Sequence, residues 1–471
     1  MQRKLATGLL HASQRNIICT SAFKFATIDR QSVSSTPFTS SEHPQLAGAV
    51  MCSCRSMPRV LLLLAVAALL FADAQAKKKR KGVKIRRELV MESGPTSEQI
   101  WDSGLMEKTL TASSFYEKSR QYYENVDVRR QANTVLAYVT PWNREGYDNA
   151  VRFRAKLTHV SPVWYTLKRV PDTTADWVLE GGHEYNQSWV QAVRQPVGQS
   201  GHQVKVVPRF MVEVSDPNDN MALIMQSMQP LRLMWNEVKD KDYDGLVLEV
   251  MQNWLAINIL SAEHFLEPIY LFMSDLSNMM HNHAGRRREI IMATPPVLPA
   301  AHDRLYVDKR TLVDMNGYVD AWSLMTYDYC QGATSPHNSP LPWIDKQFMV
   351  LERHAYKGKD NTTFPDPYEP LHKVLVGLNW YGYDHNTAKG TKKPVTMQAV
   401  LQLMAQHTPD IEWDKEEREH HFQYQAKGVV HEVYFPTPRA MEERLELVAK
   451  AGGGVAIWEL GQGVERFFDL L

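Results

Sequence analysis

From residue 135 onward, short apolar runs rich in β-branched residues alternate with longer stretches whose apolar residues recur at helical spacing. The runs cover 135–140, 157–164, 203–210, 245–251, 290–294, 321–327, 374–379 and 454–458, and helical patterns such as 221–238, 262–280 and 441–451 lie between them. Strands separated by helices cannot pair as hairpins, so this order predicts parallel βα units. Eight such units over this length fit a TIM (β/α)8 barrel of the α/β class better than an open doubly wound sheet. No GxGxxG or GxxxxGK[ST] loop follows any run, so nucleotide binding has no support.

In such a barrel the chemistry gathers at the C-terminal ends of the strands. There the chain places Trp142 and Asn143, Trp164 and Tyr165, Glu249, Tyr327 and Asp328, Trp380 and Tyr381, and Trp458 and Glu459. Barrel interiors favour branched aliphatics, so aromatics at five strand ends exceed the needs of packing. Flat rings beside hydroxyl and carboxyl groups suit the faces and edges of sugars. For any single tryptophan, ordinary packing is an equal alternative, and it is the joint placement that favours a sugar site.

The 53 basic and 53 acidic residues cancel, which argues against a partner captured by bulk charge such as nucleic acid. Residues 60–71 form an apolar run followed by Ala74 and Ala76. That run is too short to span a bilayer but suits a secretory leader over 57–76, cleaved after Ala76. Residues 1–56 then read as an upstream extension in preference to a transit peptide, and 77–134 as a basic, partly disordered segment beginning with Lys77 to Lys81. The expectation is a secreted glycoprotein, with the endosome or lysosome as a further destination and sequons at Asn186 and Asn361. Of the four cysteines only Cys330 lies beyond the leader, which excludes a disulfide scaffold and a cysteine zinc site. His420, His421 and His431 lack a further ligand at metal-binding spacing and read as packing or surface residues; no metal or other cofactor is expected.

Over 135–471 the strand-end motifs resemble family 18 glycoside hydrolases, the chitinases. Leu136 to Trp142 is similar to the family's opening strand, which implies that Tyr138 lies in the sugar site and Trp142 stacks on a distal sugar. Thr158 to Trp164 ends in an aromatic where the family has one, and Met325-Thr326-Tyr327-Asp328 is similar to its Met-x-Tyr-Asp motif. Trp458 resembles the tryptophan that floors the central subsite. Trp413 to Phe435 resembles the family's small α+β insertion between strand seven and its helix. Within the family, the combination is closest to receptor-interacting chitinase-like members. The resemblance implies sugar contacts from Tyr138, Trp142, Trp164, Glu249, Met325, Tyr327, Asp328, Trp380, Tyr381 and Trp458.

Strand four departs from the family. Where active members read Asp-Gly-x-Asp-x-Asp-x-Glu, this chain reads Asp244-Gly245-Leu246-Val247-Leu248-Glu249-Val250-Met251. Strand alternation predicts Val247, Glu249 and Met251 on the inner face. The resemblance puts Glu249 at the acetamido-orienting position and Met251 at that of the general acid. A thioether cannot protonate a leaving oxygen, and general acid catalysis is worth roughly 10²–10⁴-fold. The expectation is therefore a lectin for N-acetylglucosamine oligosaccharides or chitin without a catalytic residue. Two alternatives stand beside it: a residual glycosidase using Glu249 or Asp328 as acid, and a scaffold with a vestigial pocket that binds a scavenger-type receptor.

Overall fold

The computed structural model describes residues 89–471 apart from 171–175, 199–200, 215–216, 284, 302–303, 333, 353–354, 358–362 and 366–370. The leader expected over 57–76, the run of lysines after it and Asn361 lie outside the described residues.

One curled sheet of eleven strands organises residues 135–471. Its order runs Trp177–Glu180, Tyr165–Arg169, Arg209–Glu213, Gly245–Glu249, Glu289–Thr294, Ala321–Leu324, Val374–Asn379, Gly454–Trp458, Val135–Val139, His159–Pro162 and Lys205–Val206. Every neighbouring pair is parallel except the Tyr165–Arg169 and Trp177–Glu180 ladder.

This is a TIM-barrel-like arrangement, but two of the eight expected strands are split and the ladder does not run unbroken around the ring. The second run forms a strand only over His159–Pro162, with a separate strand, Tyr165–Arg169, following Val163 and Trp164, and the third is interrupted at Val207 and Pro208. Pro208 has no N–H to give to a ladder, and a strand breaks most readily there. Single bonds hold the gap: Val207 N donates to Val160 O at 2.9 Å, and Val247 N to Pro208 O at 2.9 Å.

Alternation sorts the side chains into two layers. Leu136, Tyr138, Val207, Val247, Ile291, Ala293, Ala321, Leu375 and Ala456 form the inner cluster, two residues apart wherever one strand supplies a pair. Their neighbours in sequence, such as Ala137, Leu246, Leu248 and Met292, belong to the larger cluster between sheet and helices. The helices begin at identifiable caps. Thr437 Oγ1 accepts from Ala440 N ahead of Pro438–Lys450, and Thr396 Oγ1 from Ala399 N ahead of Met397–His407. The single helix expected over 221–238 is two, Pro217–Met225 and Met228–Asp240. Pro230, tolerable only in a first helical turn, forces the restart.

Between Val374–Asn379 and Pro438–Lys450 lies the expected insertion. It is a five-stranded antiparallel sheet ordered Thr391–Thr396, Tyr381–Asn386, Val429–Phe435, Glu419–Ala426, Ile411–Asp414, with the helix Met397–His407. Residues ahead of the barrel are not all free: Ser93–Thr96 pairs with Arg120–Tyr123. Arg120 pairs with Glu465 at 2.6 Å, and Arg466 donates to Glu98 O at 2.9 Å, which fastens this segment to the C-terminal turn.

Gly245 opens the central strand against Glu289, where a β-carbon would overlap the Glu289 carbonyl oxygen. Gly245→Ala is expected to cost about 1–3 kcal/mol through this overlap. A chemical denaturation midpoint unchanged from the wild type would contradict that packing.

Candidate functional site

The inner face of the barrel ends in a polar layer above the small apolar cluster. Glu249 and Met211 are paired in register, as are Glu249 and Ala293, and Ala293 and Ser323. The small side chain of Ala293 leaves room between the larger groups on either side.

Arg209 reaches up from its strand and donates through Nε to Glu249 Oε2 at 2.5 Å, while its Nη2 lies 3.3 Å from Met211 Sδ. The guanidinium carbon sits 5.8 Å from the centre of the Trp458 ring. Arg209 is only 9% exposed, yet its charge is balanced within the mouth by Glu249. Across the barrel, the Tyr138 hydroxyl and Ser323 Oγ are 2.9 Å apart, and the Tyr138 and Trp458 rings are 5.3 Å apart. Burial, reinforced by the neighbouring carboxylate of Glu249, pushes the Tyr138 hydroxyl well above its usual range, so it stays protonated.

Asp328 occupies a left-handed backbone position, φ 61°, favoured by its own N–H donating to Asn338 Oδ1 at 2.8 Å. Its Oδ1 accepts from the hydroxyls of Tyr381 and, at 2.8 Å, Tyr383, both from the insertion's first strand. Burial raises the Asp328 carboxyl above the ordinary carboxylate range, against the lowering effect of the two hydroxyls. Tyr327 stands beside it, its ring 6.2 Å from that of Tyr381. Burial lifts its hydroxyl as well. Met325 is half-buried, with Gln252 Nε2 at 3.5 Å from its sulfur.

The sequence-predicted residues divide sharply. Tyr138, Glu249, Met325, Tyr327, Asp328, Tyr381 and Trp458 converge on the mouth. Trp142 lies in the turn after its strand, 54% exposed. Trp164 and Trp380 do not reach the mouth and belong to the outer apolar cluster. Trp164 donates to the Tyr147 hydroxyl at 2.6 Å and packs 5.7 Å from Trp189. Trp380 packs against Phe467 and Phe468 at 5.4 and 4.8 Å. Each sits one residue out of phase with the inward positions of its own run, Ser161 and Val163 in one case and Leu375 in the other, so its ring points outward.

Met251 is corrected too. The strand stops at Glu249, Val250 turns to φ −137°, ψ −20°, and Met251 opens the short helix Met251–Ala256. Its side chain is buried in the outer cluster with Val250 and Trp254, not in the barrel. No proton donor therefore stands at the aligned acid position, either by residue type or by direction.

Arg209, Ser323 and Tyr383 are site residues that the motif comparison missed. Arg209 was legible: it is the one charge between Val206 and Val212 and lies two residues from inward-facing Val207. Tyr383 was not, because only the insertion's path brings it to Asp328.

The histidines of the insertion are engaged elsewhere. His420 bonds Thr437 Oγ1 at 2.8 Å and Lys108 O at 3.1 Å, His421 faces Glu432 at 3.3 Å, and His431 faces Asp384 at 2.8 Å. Among the described residues, no group of three or more His, Cys, Asp or Glu could hold a metal ion, and no helix is long and apolar enough to cross a membrane. Asn186 is exposed and caps the helix Gln187–Val193. A depression of about 320 Å³ lined by Arg418, Arg439, Glu443 and Lys450 involves none of the mouth residues.

The sequence model of Glycosyl hydrolases family 18 matches residues 214–463, just over half of the chain. The chain belongs to family 18 of the glycosyl hydrolases. Among solved structures, a chitinase from Chromobacterium violaceum superposes with TM-score 0.54 at 19% identity, covering 72% of this chain and 98% of that one. The Bacillus cereus spore cortex-lytic enzyme SleL gives 0.52 at 16%, covering 73% and 74%. A plant class V chitinase mutant from Cycas revoluta in complex with (GlcNAc)3 gives 0.52 at 10%, covering 71% and 97%. At these identities the likeness is one of fold. Among curated proteins, the cortical fragment-lytic enzyme of Bacillus anthracis is 26% identical over 160 residues, 32% of this chain and 34% of that protein. The Bacillus subtilis (strain 168) enzyme of that name is 31% identical over 108 residues, 22% and 25%. The match thus spans about a third or less of those relatives' length.

One further carboxyl is buried next to Trp458 in the chain. Glu459 is fully buried, accepting from Asn143 Nδ2 at 2.8 Å and from Gly461 N at 3.1 Å. Burial raises it from 4.5 to about 7 despite those bonds. A carboxyl raised on folding keeps its proton in the native state, so its contribution is complete below pH 4.5 and is lost as pH rises through about 7. Glu459→Gln is therefore expected to raise unfolding stability at pH 8 by on the order of 3 kcal/mol at most, seen as a higher melting temperature. The advantage should vanish near pH 5, and equal advantages at the two values would refute it. Met251→Glu is expected to lower stability by several kcal/mol, because it buries an unpaired carboxyl in the outer cluster, without creating hydrolysis. Full stability with turnover of a fluorogenic chitobioside would show that position 251 does reach the mouth.

Proposed function

We propose that this protein is a chitinase-like lectin that holds N-acetylglucosamine-containing oligosaccharides in its barrel mouth without hydrolysing them efficiently. The observation that carries this reading is the contrast between the two parts of the mouth. The sugar-facing part is furnished with Trp458, the Tyr138 and Tyr327 hydroxyls, Glu249 and Asp328. At the aligned acid position the chain has Met251, turned into the outer core.

Family 18 chemistry protonates the glycosidic oxygen while the substrate's own acetamido oxygen attacks the anomeric carbon. Without a donor the leaving group departs as an alkoxide. Glu249 is a poor replacement, since it already accepts an ion-paired hydrogen bond from Arg209. Asp328 remains the carboxyl that could serve a residual glycosidase, because burial favours its protonated form. Its Oδ1 is nevertheless turned toward Tyr381 and Tyr383.

The leader over 57–76 and the exposed sequon at Asn186 support a secreted or endolysosomal protein. The combined motifs Ser161 to Trp164, Trp413 to Phe435 and Trp458 to Gly463 support the narrower reading of a stabilin-interacting, chitinase domain-containing protein. In that reading a scavenger-type receptor would be a second partner.

Calorimetry with chitin oligomers of four or more units tests the proposal. Trp458→Ala is expected to weaken binding about tenfold, the equivalent of losing roughly 1.5 kcal/mol of apolar contact. No binding by the wild type, with Trp458→Ala indistinguishable from it, would leave the barrel a scaffold. Product release from a fluorogenic chitotrioside that Asp328→Asn or Glu249→Gln abolishes would make it an enzyme.

A further inference from the structure

We infer that Asn338, buried behind the mouth, is a positioning residue: its side-chain amide ties Asp328 to Tyr381 and so holds together the barrel and the insertion where they meet. Its effect on sugar affinity rests on the lectin reading; the tie itself does not.

Asp328 and Tyr381 come from different parts of the fold, the end of the sixth barrel run and the insertion's first strand, and the bond between hydroxyl and carboxylate needs both backbones in fixed places. Asn338 sets both at once. Its Oδ1 accepts from Asp328 N at 2.8 Å, and its Nδ2 donates to Tyr381 O at 3.1 Å. A backbone N–H can only donate and a carbonyl only accept, so these partners fix which end of the amide faces which. The main chain adds a third tie, from Tyr329 N to Asn338 O at 2.9 Å. Asp328 lies in the left-handed region at φ 61°, unfavourable for a residue with a β-carbon, and the bonds to its own N–H and to the next one hold it there.

Asn338 is in turn held from two further elements. Glu419, on the insertion strand Glu419–Ala426, takes Asn338 N on Oε2 at 3.1 Å and Ser339 N on Oε1 at 2.8 Å. Its charge faces Arg444 of the helix Pro438–Lys450 at 3.3 Å, and Arg444 donates to Ser339 O at 2.6 Å. Ser339 Oγ closes the circuit on the sixth run by donating to Thr326 O at 2.6 Å. Asn338, Ser339, Glu419 and Arg444 are each at most 4% exposed, so water does not compete for these bonds. The tie is therefore complete in the free protein, and groups oriented before a ligand arrives cost less to immobilise when it binds.

Only an amide suits this place. A carboxylate of the same shape sets acceptor against acceptor at Tyr381 O, and a short hydroxyl side chain cannot span both partners. A protonated carboxyl, with one C=O and one O–H, reproduces the pattern of the amide.

The test is Asn338→Asp in the full-length protein, titrated calorimetrically with chitotetraose at pH 7.5 and near pH 4.5 beside the wild type. At pH 7.5 its affinity is expected to fall about tenfold, the equivalent of one oriented hydrogen bond. Near pH 4.5 the buried carboxyl regains its proton, and affinity is expected to return to within about threefold of the wild type at that pH. Asp328, Glu419, Arg444 and His337, which faces Asp414 at 3.1 Å, also carry charge or titrate around this position. They are common to both proteins, so comparison at each pH removes their contribution. The same reversal is expected without ligand in the tyrosine band of near-ultraviolet absorption, and it should disappear when Tyr381→Phe is added. Because an ionised carboxyl here could unfold the barrel, Asn338→Ser, which buries no charge, serves as the second variant and should bind about tenfold more weakly at both pH values. Thr437→Ala removes the cap of Pro438–Lys450, where Thr437 bonds no mouth residue; it should lower the melting temperature and leave affinity unchanged, which separates positioning from stability. Folded variants at position 338 with wild-type affinity at pH 7.5 overturn this inference alone. A wild type that does not bind chitotetraose overturns the lectin reading, and the tyrosine band then decides the tie: reversal with pH supports it, and no change overturns it.

Discussion

An ion pair inside a barrel mouth sets what this molecule can do. Separating Arg209 from Glu249 would leave an uncompensated charge among Tyr138, Trp458 and Met211, a loss of about 3–5 kcal/mol for a buried pair. The pair therefore holds the mouth's polar groups in place beside the Trp458 ring. A carboxylate held in this way is an acceptor by construction. Proton donation, the step on which glycoside cleavage depends, would require it to give up its strongest partner first.

How much of this the sequence revealed turns on one rule, that side chains two apart share a face. The rule holds within a strand and fails at its end. Tyr138 follows Leu136, Glu249 follows Val247, Trp458 follows Ala456, and each lies at the mouth as its phase requires. Trp164 and Trp380 were drawn to the site by their type and their nearness to strand ends. Their phase, one residue off from Val163 and Asn379, already placed them outside, and the outer cluster is where they lie. The same rule misplaced Met251, because the strand stops at Glu249 and the backbone of Val250 turns before the alternation can be continued.

The order of the fold was legible from the βα alternation, and two of the eight runs, Val374–Asn379 and Gly454–Trp458, have the bounds the sequence suggested. The split strands were less so. A run such as 203–210 is apolar enough to read as continuous, but Pro208 withdraws one ladder donor and divides it. What lay beyond sequence reasoning is the contribution of distant segments. Tyr383 comes from the insertion, Asn338 from a loop, and their meeting at Asp328 depends on a path that no local pattern encodes.

The two halves of the family's chemistry are separable in energetic terms, and the function proposed for this chain draws on only one. Binding of a sugar ring draws on apolar contact and on hydrogen bonds already oriented in the free protein. Catalysis draws on groups that interact more strongly with the transition state than with the ground state. In the proposed function Trp458 and the ion pair would contribute to the first. The second requires a proton donor aligned with the leaving oxygen, and at position 251 the backbone itself has turned away. Restoring a carboxyl there by substitution alone would not restore its direction, so the loss of the acid is written into the end of the strand as much as into the side chain.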